Sequence, residues 1–152
     1  MLRSFTLVCM LLLQCMLPVN AQVRANKHVS KRYWARSDTG GQNWTQIVPG
    51  VLPAPTCNAA AINLHGARQM ALAHIEPGLG STVREHMTIR VSEDGGSTFP
   101  VKQLVWAPPA GYITLTTTAN TSVVGALYEN GGEGQSCYRR ISYQEIAISS
   151  SP

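Results

Sequence analysis

Two copies of one eight-residue turn constrain this chain more than any other feature of its sequence. Ser92-Glu93-Asp94-Gly95-Gly96-Ser97-Thr98-Phe99 fits S-x-D-x-G-x-[TS]-[WF], and Ser37-Asp38-Thr39-Gly40-Gly41-Gln42-Asn43-Trp44 is a degraded copy 55 positions earlier. The serine, the second glycine and the aromatic align, but Thr39 stands where the aspartate belongs and Asp38 is displaced by one. In such a turn the Asp side chain satisfies backbone amides, the glycines allow positive φ and the aromatic packs between sheets. It is a folding element of a hairpin, not a catalytic one. The spacing matches one four-stranded blade with its loops, so the repeat points to a β-propeller.

The rest of the sequence after residue 30 agrees with that class. Short strands are predicted at 31–36, 59–64, 69–75, 85–92, 102–106, 113–118, 122–128 and 141–148, separated by Gly, Pro and Asn turns. Met87, Ile89 and Val91 alternate with His86, Thr88 and Arg90, the period of a half-buried strand. Ala107-Pro-Pro-Ala-Gly111 is incompatible with helix. The fold class is all-β.

The chain has 152 residues, 44% hydrophobic and 13% charged, which suits one small folded domain rather than a disordered segment. A net charge of +4 favours an anionic ligand, yet the basic residues are scattered without interleaved aromatics, so no nucleic-acid partner is expected. Residues 1–21 read as a signal peptide: Arg3, the apolar run Phe5 to Leu17, and Val19-Asn20-Ala21 as a small-residue cleavage site before Gln22. That run is shorter than the ~20 residues of a membrane span; the alternative is a buried strand or a mispredicted first exon. Cleavage would remove Cys9 and Cys15, leaving Cys57 and Cys137 either paired as a disulfide or as two free thiols. Asn43-Trp44-Thr45 and Asn120-Thr121-Ser122 are glycosylation acceptors in a secreted chain. His65, His74 and His86 lack ligand-like spacing, and no metal or cofactor is expected.

The turn motifs resemble the Asp boxes (BNR repeats) of sialidases, and further segments in sequence order extend the resemblance. Arg32-Tyr-Trp-Ala-Arg-Ser37 is similar to the segment bearing the second arginine of the sialidase triad. Thr56-Cys57-Asn58-Ala59-Ala60 resembles a C-Q-G-S stretch, with Asn for Gln and Ala-Ala for Gly-Ser. Arg84-Glu-His-Met-Thr-Ile-Arg-Val-Ser92 is similar to R-x-x-[LM]-T-[LIV]-R-x-S, which opens on the third triad arginine. Gly111-Tyr112-Ile-Thr-Leu115 resembles the nucleophile segment, and Leu127-Tyr128-Glu129 the L-Y-E motif. The resemblance implies the last two to three blades of a propeller of roughly six, with residues 22–152 as its C-terminal fragment. It also implies Arg32 and Arg84 as substrate-binding groups, Tyr112 as the nucleophile and Glu129 as a supporting carboxylate.

The residue types fit that chemistry. Sialic acid carries a carboxylate on its anomeric carbon, and a guanidinium binds a carboxylate bidentately while staying charged. The same carboxylate repels an acidic nucleophile, so the family uses tyrosine. Tyrosine, with a free pKa of about 10, needs a neighbouring carboxylate as base.

The F-R-I-P-like motif with the first triad arginine has no counterpart here, and Asp38 is the first acid of the chain. The expectation is therefore a truncated exo-α-sialidase lacking its acid–base residues, secreted or lumenal (lysosomal included). It would act on sialylated glycoproteins, glycolipids or oligosaccharides, and open sheet edges would favour self-association. Two alternatives stand beside it: a catalytically inactive secreted sialoglycan-binding module, and a propeller-repeat fragment with an interaction role.

Overall fold

The computed structural model describes residues 31–55, 57–64, 69–76 and 83–148, and the backbone of residues 19–23. Every regular element among them is a strand: β1 (Val19–Val23), β2 (Lys31–Ser37), β3 (Val48–Pro53), β4 (Ala59–Asn63), β5 (Met70–Ile75), β6 (Met87–Ser92), β7 (Val101–Trp106), β8 (Ala110–Thr117), β9 (Val123–Asn130) and β10 (Arg140–Ala147). They form three antiparallel meanders, ordered β1-β2-β3, β4-β5-β6-β7 and β10-β9-β8. The sheets stack and do not close on one another, which makes the chain a partial propeller.

The middle sheet explains the apolar pattern. All six residues of β5 are buried, and five of the six in β6. A strand covered on both faces loses the polar-out alternation. Ala71, Ala73, Ile75, Ile89 and Val91 pack with Ile113, Leu115, Val124, Ala126 and Ile146 of the third sheet. On the opposite face Leu72 packs with Leu52 and Phe99 against Trp34, and the Trp34 and Phe99 rings stack at 5.8 Å.

Both turn motifs close hairpins, β2–β3 and β6–β7, with the same backbone: Gly40 and Gly41 have φ of 63° and 90°, Gly95 and Gly96 of 76° and 90°. Asp94 accepts hydrogen bonds from the Thr98 amide at 2.9 Å and hydroxyl at 2.6 Å, and from the Ser92 hydroxyl at 2.8 Å. In the degraded copy the Thr39 hydroxyl takes over this role, accepting from the Asn43 amide at 2.9 Å, while Asp38 pairs with Arg36. Trp44 corrects the expectation that both aromatics pack between sheets. It is 44% exposed and donates its indole N–H to the Gly41 carbonyl.

Two strands were not anticipated. Val48-Pro-Gly-Val-Leu-Pro53 contains two prolines and a glycine, which argue against a strand, but β3 lies at a sheet edge where proline is tolerated. Gly50 is required there, because an added Cβ would lie 2.0 Å from the Trp34 indole nitrogen. β1 pairs with β2 from Val19↔Ser37 to Val23↔Tyr33, so the expected cleavage position after Ala21 falls inside this strand. Residues 1–18 of the expected leader, Thr56 and His65 lie outside the described residues.

Candidate active site

The site is built around a defect in a strand. The register of β8 against β9 runs Ala110↔Asn130 and then Ile113↔Tyr128, so Gly111 and Tyr112 together oppose Glu129. A β-bulge of this kind leaves an amide without a ladder partner and re-aims a side chain. Here the Tyr112 amide is taken up by the Glu129 carboxylate at 2.9 Å. Gly111 makes room for it: a Cβ at that position would meet Glu129 Oε2 at 2.4 Å. The Tyr112 side chain is 40% exposed, and beside it Thr114, Leu127, Glu129 and Ile141 line a shallow cleft of about 200 Å³.

Arg84 reaches the bulge from the segment before β6. Its carbonyl accepts the Ala110 amide at 2.9 Å, while His86, in the left-handed region at φ 57°, links Glu76 to Ala107 through its own backbone groups. A non-glycine residue held there stores strain of the kind concentrated at functional sites. The Arg84 guanidinium carbon lies 5.6 Å from the Tyr112 ring centroid and 6.0 Å from that of Tyr138. The Tyr138 hydroxyl accepts a hydrogen bond from Arg84 Nη1.

Arg32 comes from β2 in a different sheet and is 1% exposed. Its Nη1 donates to the Cys57 carbonyl at 2.8 Å, and its Nε and Nη2 have no partner among the described residues. Burial lowers its pKa from 12.5 to about 10. Cys57 joins it to the nucleophile segment: the thiol donates to the Gly111 carbonyl at 3.5 Å. The neighbouring Asn58 side chain bonds both the amide and the carbonyl of Ile113, at 3.1 and 3.2 Å. Burial raises the Cys57 thiol, although Arg84 and Arg32 both pull it down. Both thiols are free.

The structure thus brings Arg84, Tyr112 and Glu129 together and ties Arg32 to them through the Cys57-Asn58 segment. Arg32 is enclosed between sheets rather than open to a cleft. Tyr138 was missed, and its only sequence signal is a lone aromatic in a Gly- and polar-rich loop.

Between the first and middle sheets lies a second polar group. His74 is fully buried, and both of its ring nitrogens lack hydrogen-bond partners among the described residues. Its Nε2 stands 3.6 Å from Glu76, too long for a hydrogen bond. Burial pushes the His74 pKa down, so the ring is neutral. Burial also works to raise Glu76, but His74, Arg90 and Lys102 outweigh it and hold the carboxyl far below the usual range. Arg90 and Lys102 both bond that carboxylate directly.

The profile of the BNR repeat-like domain matches residues 10–143. The chain belongs to the BNR repeat-like domain family. Its sheets superimpose on those of a Hadza microbial sialidase, with a TM-score of 0.67 and 24% identity over 87% of this chain. They also match an intramolecular trans-sialidase from Ruminococcus gnavus, solved with oseltamivir carboxylate, with a TM-score of 0.63 and 19% identity over 86% of this chain. At these identities the likeness establishes the fold of this BNR-repeat chain as that of sialidase propellers. The chain spans 25% and 30% of the lengths of those two proteins. No curated protein matches it.

Proposed function

We propose that this BNR-repeat chain is the carboxylate-reading and nucleophile-bearing part of an exo-α-sialidase, a glycoside hydrolase releasing terminal sialic acid from glycoproteins, glycolipids or oligosaccharides outside the cell or in a lumen. The observation that carries the reading is Arg84 held 5.6 Å from the Tyr112 ring at a β-bulge that Glu129 closes. Arg84 takes the sugar carboxylate, while Arg32, buried and bonded to the Cys57 carbonyl, supports the segment that holds the nucleophile strand rather than reaching the ligand. The re-aimed Tyr112 hydroxyl stands where the anomeric carbon would be presented. Glu129 fixes the bulge, and so the direction of the tyrosine.

The test is a titration of the 152-residue chain with N-acetylneuraminic acid, followed by NMR, beside its carboxyl methyl ester. Binding should require the free carboxylate, vanish in Arg84→Ala and survive in Lys31→Ala, which removes an exposed cation outside the site. Equal binding of acid and ester, or binding that survives Arg84→Ala, overturns the reading.

A second reading is a sialoglycan-binding module that no longer turns over its ligand. The engagement of the acidic side chains favours it. Asp38 is paired with Arg36, Glu76 with Arg90 and Lys102, and Asp94 is held in its turn.

A further inference from the structure

Arg84 raises a physical question that its sequence context does not answer. It lies outside any strand, among the described residues 83–86 that lead into β6, and its side chain is long and only half buried. A fork that receives a carboxylate bidentately must be held in one orientation before the ligand arrives. Tyr112 supplies one wall, at 5.6 Å from the guanidinium carbon.

The other wall is Tyr138, at 6.0 Å, whose hydroxyl also accepts from Nη1. Tyr138 is 59% exposed and belongs to no core cluster, so packing does not explain it. The loop that carries it, residues 131–139, is tied down at several points. The Gly131 amide donates to the Pro109 carbonyl at 2.8 Å, and the Trp106 indole donates to the Gly131 carbonyl at 2.9 Å. Within the loop the Gly132 amide is held by the Gln135 side chain at 3.0 Å, and the Tyr138 amide by the Ser136 hydroxyl at 3.2 Å. Gly131 allows the loop to fold back, since a Cβ there would lie 2.2 Å from the Ser136 carbonyl oxygen. An exposed tyrosine at the end of an anchored loop, hydrogen-bonded through its hydroxyl to one guanidinium, is a clamp.

We propose that Tyr138 is a positioning residue that sets the orientation of Arg84 for an anionic ligand. Its link to sialic acid rests on the sialidase reading above. The hydroxyl accepts from Nη1 and so fixes the direction of the guanidinium, and the anchored loop fixes the hydroxyl. This preorganises the arginine without touching the reacting atoms.

The experiment uses the full chain with [15N]arginine, and reads the Arg84 Nε–Hε resonance, assigned by its loss in Arg84→Lys. It also reads N-acetylneuraminic acid affinity by NMR titration and the melting temperature. Tyr138→Ala should move the Arg84 resonance out of its ring-current-shifted position, speed its exchange with water and weaken binding about tenfold with an unchanged melting temperature. Tyr138→Phe, which removes only the hydroxyl that accepts from Nη1, should weaken binding about as much as Tyr138→Ala. Tyr143→Ala, removing an exposed tyrosine elsewhere, should change neither reading. If Tyr138→Ala leaves both the resonance and the affinity as in the wild type, or lowers affinity only together with the melting temperature, the clamp is overturned. If the wild-type chain binds no sialic acid while the Arg84 resonance responds to Tyr138→Ala, the positioning stands and the sialidase reading falls.

Discussion

The Tyr112 amide donates to the Glu129 carboxylate at 2.9 Å across a strand pair that has slipped by one residue. This bond turns a gap in the β8–β9 ladder into a fixed feature, because the amide that the bulge orphans finds a charged acceptor on the opposing strand. A buried or half-buried amide left without such a partner would cost stability, and a charged acceptor makes the stronger kind of hydrogen bond. The direction of the Tyr112 side chain therefore depends on Glu129 and on the absence of a side chain at Gly111.

Gly111→Ala tests that dependence. The new methyl group would overlap Glu129 Oε2, so the carboxylate must swing away and the Tyr112 amide loses its acceptor. Loss of a hydrogen bond to a charged group should lower stability by about 1.5–3 kcal/mol, measured by denaturant unfolding. Affinity for N-acetylneuraminic acid should fall as well. Glu129→Gln keeps an acceptor oxygen and should fall between the wild type and Gly111→Ala. A Gly111→Ala protein that is as stable as the wild type and binds equally well would show that the bulge is held by something else.

The two turn motifs should differ in their response to acid. Hydrogen bonds from the Thr98 hydroxyl and amide hold the Asp94 pKa down from 3.8 to about 2. The folded state binds the Asp94 proton less readily than the unfolded chain. Its contribution is therefore complete above about pH 4 and is lost as pH falls towards 2. Thr39, which plays the same part in the other turn, has no charge to lose. Asp94→Ala should lower the melting temperature by a few degrees at pH 7 and by less at pH 2. The loss in Thr39→Ala should be the same at both. Parallel losses in the two variants would mean that the carboxylate charge of Asp94 is immaterial.

The fold and the site were legible to different depths. The Asp94 turn carries its own chemistry in eight adjacent residues, so its hairpin can be read directly. The strands of the middle sheet followed from apolar runs such as Met70–Ile75. β3 was hidden because Pro49, Gly50 and Pro53 speak locally against a strand, and only its edge position and the crossing of Trp34 over Gly50 make one. In the site, Arg84, Tyr112 and Glu129 could be named from their motifs, but the slip that joins Tyr112 to Glu129 is a property of strand pairing and leaves no mark in either segment. Tyr138 was invisible for the same reason. Its meaning lies in a contact with Arg84, 54 positions away.

The pair His74 and Glu76 should set the acid stability of the stacked sheets. His74 is buried neutral, with Arg32 and Arg90 opposing its protonation and Glu76 favouring it, and its pKa is lowered below 6.5. Since the unfolded chain takes up that proton first, stability should begin to fall as pH drops below about 6.5, by at most about 1.4 kcal/mol per pH unit from this group. A second loss should begin below 4.5, where the unfolded chain protonates Glu76 before the folded one does. His74→Leu removes two unpaired ring nitrogens and should abolish the first loss while leaving the second, as followed by urea unfolding between pH 7 and 3. A wild-type profile that is flat between pH 6.5 and 5, or a His74→Leu profile that keeps the slope, would contradict the buried neutral imidazole.

The final prediction concerns turnover, and it goes against the activity of the sialidases this fold resembles. The 152-residue chain alone should not hydrolyse a fluorogenic sialoside above background. Its eight acidic residues are accounted for. Asp38, Glu76, Asp94 and Glu129 are engaged as described, Glu145 accepts the Tyr143 hydroxyl at 3.3 Å, and Glu85 lies 3.7 Å from His86. Glu93 and Glu133 are exposed on loops. Among the described residues none is hydrogen-bonded to the Tyr112 hydroxyl, so no base activates it and no acid is aimed at a leaving group. General acid–base catalysis typically contributes about 10²–10⁴-fold per group, and an open set of sheets cannot exclude water from the carboxylate clamp. Turnover that disappears in Tyr112→Phe would refute this. Its dependence on concentration would then identify the missing groups: a rate proportional to protein concentration would assign them to this chain, and a rate rising with its square would assign them to a second copy joined through the open sheet edges.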